Sequence, residues 1–373
     1  MVDTIVQRVQ LSLDYAVAFT RDMFDQANRT LVDIVGSRAR VVAVIDANVA
    51  AAWPVLADSI KRYAHHHDFE LAAVRTVPGG EAAKDASTLE LLWGELAALR
   101  VDRHSFVVAI GGGAALDVIG FAAATLHRGV RLVRVPTTVL AQNDAGIGVK
   151  NGINAFGAKN FLGTFAAPFA VIDDSRFLDT LPPRDRIAGM AEAVKVGLIR
   201  DRALFDWLVA NAGPLARFEL DAVERSIRRC AELHLAHIAT GGDPFEQGNA
   251  RPLDYGHWAA HKLEMLTEYE LRHGEAVSIG MALDARYAVE ADMLAESDLV
   301  AIVSLLDALG LPTWHDALRD PRLLGGLDEF REHLGGELCI TLLREIGRGV
   351  DVHEMRADLV HRAIDWLDRR RSS

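Results

Sequence analysis

The chain has 373 residues, half of them apolar, and a formal net charge of -12 at pH 7. That length permits two domains around a substantial core, and the acidic balance argues against a nucleic-acid partner, whose binding is driven by phosphate neutralisation. No run approaches the roughly 20 apolar residues that cross a bilayer, so no membrane partner is expected; no signal-peptide pattern opens the chain, which reads as cytoplasmic.

In chain order, the first strands expected are residues 40–46, 106–110 and 130–135, each a β-branched apolar run. Continuously apolar strands separated by helical stretches indicate a Rossmann-like parallel sheet covered on both faces. The region 1–180 therefore reads as an α/β, nucleotide-binding domain. After Leu181-Pro182-Pro183 the texture changes to long amphipathic stretches such as 221–240 and 275–293, and 181–373 reads as an all-α domain. Cys230 and Cys339 lie in unrelated apolar contexts and read as buried free thiols. The last residues, from Asp368 to Ser373, read as a frayed end.

Several segments carry chemistry. Gly111-Gly112-Gly113 follows the strand at 106–110 and precedes a helical stretch at 114–127, where glycines let backbone amides approach a pyrophosphate or simply make a tight turn. Asp46 and Asn48, at the end of an earlier strand, suit ribose hydroxyls, with a helix cap as the plainer reading of Asp46. Only six of the 40 basic residues are lysines, and Lys84, Lys150, Lys159 and Lys195 fall within motifs. The stretch from Asp144 through Lys150 to Lys159-Asn160 reads as a glycine-rich loop whose cations and amides suit an oxyanion, or as a solvated loop. In the helical half, His257 and His273 with Glu192 offer two imidazoles and a carboxylate, a set that leaves an open position on a zinc ion. Taken singly, each histidine reads as a core hydrogen-bonding group.

The set of Gly111-Gly112-Gly113 with Asp117, Pro136-Thr137-Thr138, Asp144 with Lys150, Lys159-Asn160, Glu192 with Lys195, Gly256-His257 and His273-Gly274-Glu275 resembles the sugar-phosphate cyclases, the superfamily of dehydroquinate synthase. The resemblance spans nearly the whole chain. It implies NAD bound by Asp46, Asn48, Glu81, Lys84, Gly112, Gly113, Asp117, Thr137, Thr138, Lys159 and Thr180, and Zn2+ or Co2+ on Glu192, His257 and His273. On the substrate side it implies Lys150, Lys159, Asn160, Lys195 and His261 gripping hydroxyls and phosphate, with Asp144 and Asp254 in the same motifs. Glu246 matches a carboxylate that assists proton movement, and Arg128 is placed in the phosphate site of the neighbouring subunit of a homodimer.

The departures from dehydroquinate synthase bear on the substrate. Asp254 stands in place of asparagine, Ala250 in place of an arginine near the substrate carboxylate, Ala236 in place of a lysine, and Arg331-Glu332 in place of a lysine pair. A substrate without a carboxylate is expected, with sedoheptulose 7-phosphate as the seven-carbon candidate and a 2-epi-valiolone-type cyclitol as product. The segments 242–246 and 253–264 look most like 2-epi-valiolone synthases and the dehydroquinate-synthase-like protein of ebo clusters. His261 stands where 2-epi-5-epi-valiolone synthases usually carry proline. The alternatives are a 3-dehydroquinate synthase in which Arg251 recognises the carboxylate, and an NAD- and metal-dependent polyol dehydrogenase.

Overall fold

The computed structural model describes residues 4–9, 12–156, 158–240, 253–333 and 337–371. Glu246, Ala250, Arg251 and the segment 242–246 lie outside the described residues. The chain divides into two compact units. One comprises 1–110, 114–135 and 149–173, and the other 111–113, 136–148 and 174–373.

The strands of the first unit are β1 Ala16–Thr20, β2 Arg40–Asp46, β3 Glu70–Val77, β4 Phe106–Gly111, β5 Arg131–Pro136, β6 Lys150–Ala155, β7 Ala158–Phe165 and β8 Ala170–Asp174. Six of them form one sheet in the order β1-β8-β5-β4-β2-β3. β2 pairs in parallel with β3 and β4, and β5 in parallel with β8. β4 is buried from end to end and β2 from Val41 onward, as their unbroken apolar runs anticipate for a sheet with both faces covered. The chain leaves β2 outward to β3 and then returns to the other side of β2 with β4. Such a reversal of strand order is where doubly wound α/β sheets bind their ligands, beyond the carboxyl ends of the strands.

The stretch from Asp144 to Asn160 is not a loop, which corrects the sequence reading. Ala141–Ala145 forms a π-helical turn, and β6 and β7 form an antiparallel hairpin pairing Lys150 with Phe165 and Gly152 with Gly163. Gly152, one of the glycines that suggest a loop, serves close strand approach instead: a Cβ there would lie 3.0 Å from the Leu162 carbonyl oxygen, and one on the facing Gly163 2.6 Å from the Asn151 carbonyl oxygen.

The second unit is helical. Its helices include Pro183–Ala188, with proline in the first turn, Met190–Arg200, Leu220–Thr240, His257–Leu266, His273–Glu290, Glu296–Leu309 and Ala357–Arg371. His273–Glu290 is central, buried over most of its length and packed by His257–Leu266, Ala357–Arg371, Glu296–Leu309 and Met190–Arg200. One antiparallel hairpin, β9 Ile340–Glu345 with β10 Arg348–Val352, interrupts the all-helical expectation. Its turn contains Gly347 at φ 91°, which suits glycine, and its strands are too short for the alternation to stand out in sequence. Cys230 and Cys339 are buried and in no disulfide. Among the described residues no helix is long and apolar enough to cross a membrane.

Candidate active site

Within the second unit, the helices starting at Met190, His257 and His273 converge on three side chains. One donor atom each from Glu192, His257 and His273 lies within 4.8 Å of the other two. Glu192 is fully buried and His257 nearly so, while His273 is 26% exposed and supplies an open side. Glu192 Oε1 is buried with no hydrogen-bond partner among the described residues, while the Lys195 ammonium is ion-paired with Oε2. A buried carboxylate left without hydrogen bonds is costly unless a cation completes it.

The imidazoles are oriented to match. His257 Nδ1 lies 3.0 Å from the Tyr255 carbonyl oxygen, which can only accept, so Nδ1 carries the proton and Nε2 offers its lone pair. His273 Nε2 lies 4.0 Å from Glu192 Oε1. Donors sharing a tetrahedral zinc at about 2.0–2.2 Å are about 3.3–3.6 Å apart, so this pair needs to close by under 1 Å to share an ion. The residues present fit a divalent metal.

The backbone explains the motifs around these ligands. Gly256 adopts φ 78°, and a Cβ there would meet Met281 N at 2.8 Å. A Cβ on Gly280 would lie 2.0 Å from the Gly256 oxygen, and one on Gly274 would lie 1.9 Å from the Ala188 oxygen. The pairs Gly256-His257 and His273-Gly274 thus mark places where main chains touch and the two imidazoles are held in place. Glu275 completes the second motif structurally: it accepts from Arg272 N at 2.9 Å and from Arg184 Nε and Nη2 at 2.6 Å each. Asp284 holds the His257 turn, accepting from Gly256 N at 3.1 Å and Trp258 Nε1 at 2.8 Å. Burial pushes the Asp284 carboxyl up to about 7 against those two donors.

The electrostatics divide the charges. Burial raises the Glu192 carboxyl to about 7 in spite of Lys195. Burial alone disfavours the Lys195 ammonium, but Glu192, Asp144 and Asp254 overcome it and hold the amine charged above its ordinary range. Burial, then the charges of Lys195, His273 and His261, drive His257 well below its ordinary value, so it is a neutral imidazole. Asp144 sits between Lys195 Nζ at 3.8 Å and His234 Nδ1 at 3.1 Å. His261 is exposed and its ring stacks on that of His273, 5.9 Å between centroids. Asp254 is half-buried, and its carbonyl accepts from His257 N at 3.0 Å.

The first unit gathers other expected residues. Asp46 Oδ1 accepts from Asn48 N at 2.7 Å, so Asp46 does cap the short helix that follows β2. Lys84, 4% exposed, is ion-paired with Asp117 at 2.6 Å and contacts Asn160 Oδ1. Asn154 joins this group by donating to Glu81 Oε1 at 2.7 Å and accepting from Asn160 N at 2.9 Å. Lys150 is exposed at the start of β6 and Lys159 half-buried in β7. Arg128 is exposed with φ 63°, in a short turn after the helix Gly113–Thr125.

The remaining expected residues belong to the second unit. Gly113 opens the helix Gly113–Thr125, and Gly112 meets only Thr138 Cγ2, 3.4 Å from where its Cβ would stand. Thr138 Oγ1 accepts from Ala141 N at 3.1 Å. Thr137 Oγ1 is buried with no hydrogen-bond partner among the described residues, and Thr180 is exposed at the end of the largely buried turn Ser175–Thr180. A hydroxyl buried without a partner beside glycine amides fits a polar cofactor.

Three residues that chemistry places in this region are absent from the sequence reading: His234, Glu264 and Asp284. Glu264 was accessible from spacing, because His257, His261 and Glu264 stand at i, i+4 and i+7 on one helix face. His234 and Asp284 reach the site only through tertiary packing.

An α/β unit and a helical unit with this carboxylate–imidazole cluster make up the dehydroquinate-synthase-like architecture. Family models for the N-terminal and C-terminal parts of 3-dehydroquinate synthase match residues 74–188 and 189–329. The chain belongs to the 3-dehydroquinate synthase family and is a sugar-phosphate cyclase of that family. The 3-dehydroquinate synthase of Halorhodospira halophila is 40% identical over 276 residues, 74% of this chain and 77% of that protein. Among solved structures, the 2-epi-5-epi-valiolone synthase of Streptomyces hygroscopicus subsp. jinggangensis, with NAD+ and Zn2+ bound, superimposes with a TM-score of 0.90 at 31% identity, covering 98% of this chain and 100% of that one. A 2-deoxy-scyllo-inosose synthase complexed with carbaglucose-6-phosphate, NAD+ and Co2+ gives 0.77 at 26% identity, covering 93% and 95%.

Proposed function

We propose that this cyclase converts sedoheptulose 7-phosphate to a seven-carbon cyclitol of the 2-epi-valiolone type, as a phosphate-eliminating carbon–oxygen lyase. The observation that carries the reading is the buried cluster of Glu192, His257 and His273 with a charged Lys195 against it. Glu192, His257 and His273 hold Zn2+ or Co2+. Asp46, Asn48, Glu81, Lys84, Gly112, Gly113, Asp117, Thr137, Thr138, Lys159 and Thr180 bind NAD. When bound, the metal acidifies the substrate hydroxyls it contacts and NAD carries a hydride that is later returned.

The chain's own groups position one substrate through several steps. Lys195 presents a fixed ammonium to substrate oxygens, with Asp144 and Asp254 as acceptors nearby. Lys150, Lys159, Asn160 and His261 grip hydroxyls and phosphate, and Glu246 assists proton movement. Arg128 of a second subunit completes the phosphate site of a homodimer. Phosphate leaves and the opened chain closes by an internal aldol step, so no net redox change results.

The choice of substrate is supported by missing cations. Ala236 lies exposed on the helix Leu220–Thr240 where a lysine is expected, and the sequence has Ala250 where dehydroquinate synthases place arginine. The likeness to the Streptomyces synthase points the same way. A second reading, 3-dehydroquinate synthase acting on 3-deoxy-arabino-heptulosonate 7-phosphate, is favoured by the names of the curated relatives. Incubation with each sugar phosphate, following phosphate release and identifying the product by NMR, decides between them. Release from sedoheptulose 7-phosphate with a cyclitol product is expected; release from the carboxylated sugar alone overturns the proposal, and net NADH accumulation from an unphosphorylated polyol would mark a dehydrogenase.

A further inference from the structure

We propose that Glu264 is a positioning residue for His273, acting through its imidazole and resting on the reading of Glu192, His257 and His273 as a metal site. Glu264 Oε2 lies 3.3 Å from His273 Nδ1. The carboxylate is 4% exposed, on the buried face of the helix His257–Leu266. As an acceptor on Nδ1 it selects the tautomer whose lone pair is on Nε2, and Nε2 is the atom that faces Glu192 Oε1.

The two imidazoles are held differently. His257 leans on a main-chain carbonyl, that of Tyr255, which no substitution removes. His273 stands at the first turn of its own helix and leans on a side chain from another helix. Orientation of the third ligand therefore depends on a replaceable group. His261, Glu264 and His273 also present donor atoms within 4.8 Å of one another, so a second ion on that trio is the competing use of the same carboxylate. The positioning role is favoured because His261 is exposed while Glu264 and His273 already form a bonded pair.

The experiment uses the full chain stripped of metal and titrated with Co2+, followed by the visible absorption of the bound ion. Glu264→Met fills the same buried volume without an acceptor; Glu264→Gln keeps an acceptor for Nδ1–H. The expected result is one Co2+ per chain, about 10- to 100-fold weaker binding in Glu264→Met, and recovery of most of that loss in Glu264→Gln. If Glu264→Met does not fold by near-ultraviolet circular dichroism, Glu264→Asp takes its place, since its carboxylate is one methylene short of Nδ1 and the same weakening is expected. Wild-type affinity in the folded variant, a glutamine variant as weak as the methionine one, or two Co2+ per chain overturns the inference. Glu192→Ala separates the levels: if it keeps its Co2+, the metal reading itself fails, whereas loss there with unchanged affinity in Glu264→Met sinks only the role of Glu264.

Discussion

Replacing Gly274 with alanine tests whether main-chain contact sets the ligand geometry. The new Cβ would lie 1.9 Å from the Ala188 carbonyl oxygen, and because the obstacle is backbone it has no rotamer to turn aside. Reaching the 3.0 Å that real Cβ atoms tolerate requires the first turn of His273–Glu290 to move by at least about 1.1 Å. His273, adjacent in sequence, moves with it. Metal–ligand distances are held to about ±0.2 Å, so the shift takes Nε2 out of bonding range for an ion held by Glu192 and His257. Overpacking of this kind costs roughly 1–3 kcal/mol. The assay is Co2+ affinity together with urea unfolding of the metal-free chain. Affinity should fall at least tenfold and the unfolding midpoint should drop. Gly94→Ala, in an exposed helix position with nothing within 4 Å of the added carbon, should instead leave Co2+ binding unchanged and gain about 0.5–1 kcal/mol. Unchanged metal affinity in Gly274→Ala would refute the claim that this contact places His273.

Glu192→Ala should lose the metal and all turnover, measured by metal analysis after dialysis and by phosphate release; retention of both would remove Glu192 from the ligand set. For Lys195→Ala, turnover should fall about 10²- to 10⁴-fold with NAD affinity kept, checked by steady-state rates beside NAD titration. Asp284 has a folded-state pKa of about 7 against an ordinary value of 3.8. Its contribution to stability is therefore present below about pH 4 and lost as pH rises towards 7. Asp284→Asn should gain on the wild type across that window by up to about 1.4 kcal/mol per pH unit, as read by denaturation at pH 5 and pH 7. Arg128→Ala and Lys195→Ala should each be nearly inactive, yet mixing and reassembling them should restore about a quarter of wild-type activity if dimers form at random and Arg128 acts across the interface.

The sheet strands were legible because a strand buried on both faces cannot hide its apolar run, as 40–46 and 106–110 show. The convergence of Glu192, His257 and His273 was legible for a different reason. A glutamate inside the apolar helix Met190–Arg200 and histidines beside obligatory glycines are conflicts with local preference, and such conflicts mark sites. The hairpin β6–β7 was misread because Gly152 imitates loop punctuation while permitting its strand to touch the one that carries Gly163. Asp284 was missed although it too is a carboxylate in an apolar helical stretch, because no motif residue stands beside it in sequence. Its meaning comes from Gly256 and Trp258, more than twenty residues away.

The near-contact of Gly256 with Gly280 has a wider bearing. Since peptide groups rather than side chains set the distance between the helices that bear His257 and His273, the ion's seat can persist while the surrounding lining is rewritten. On the proposed reading, alanine at 236 bears on which sugar binds, and it stands on a helix that takes no part in this glycine contact. A scaffold whose helices meet through peptide groups in this way leaves the side chains around the contact free to vary.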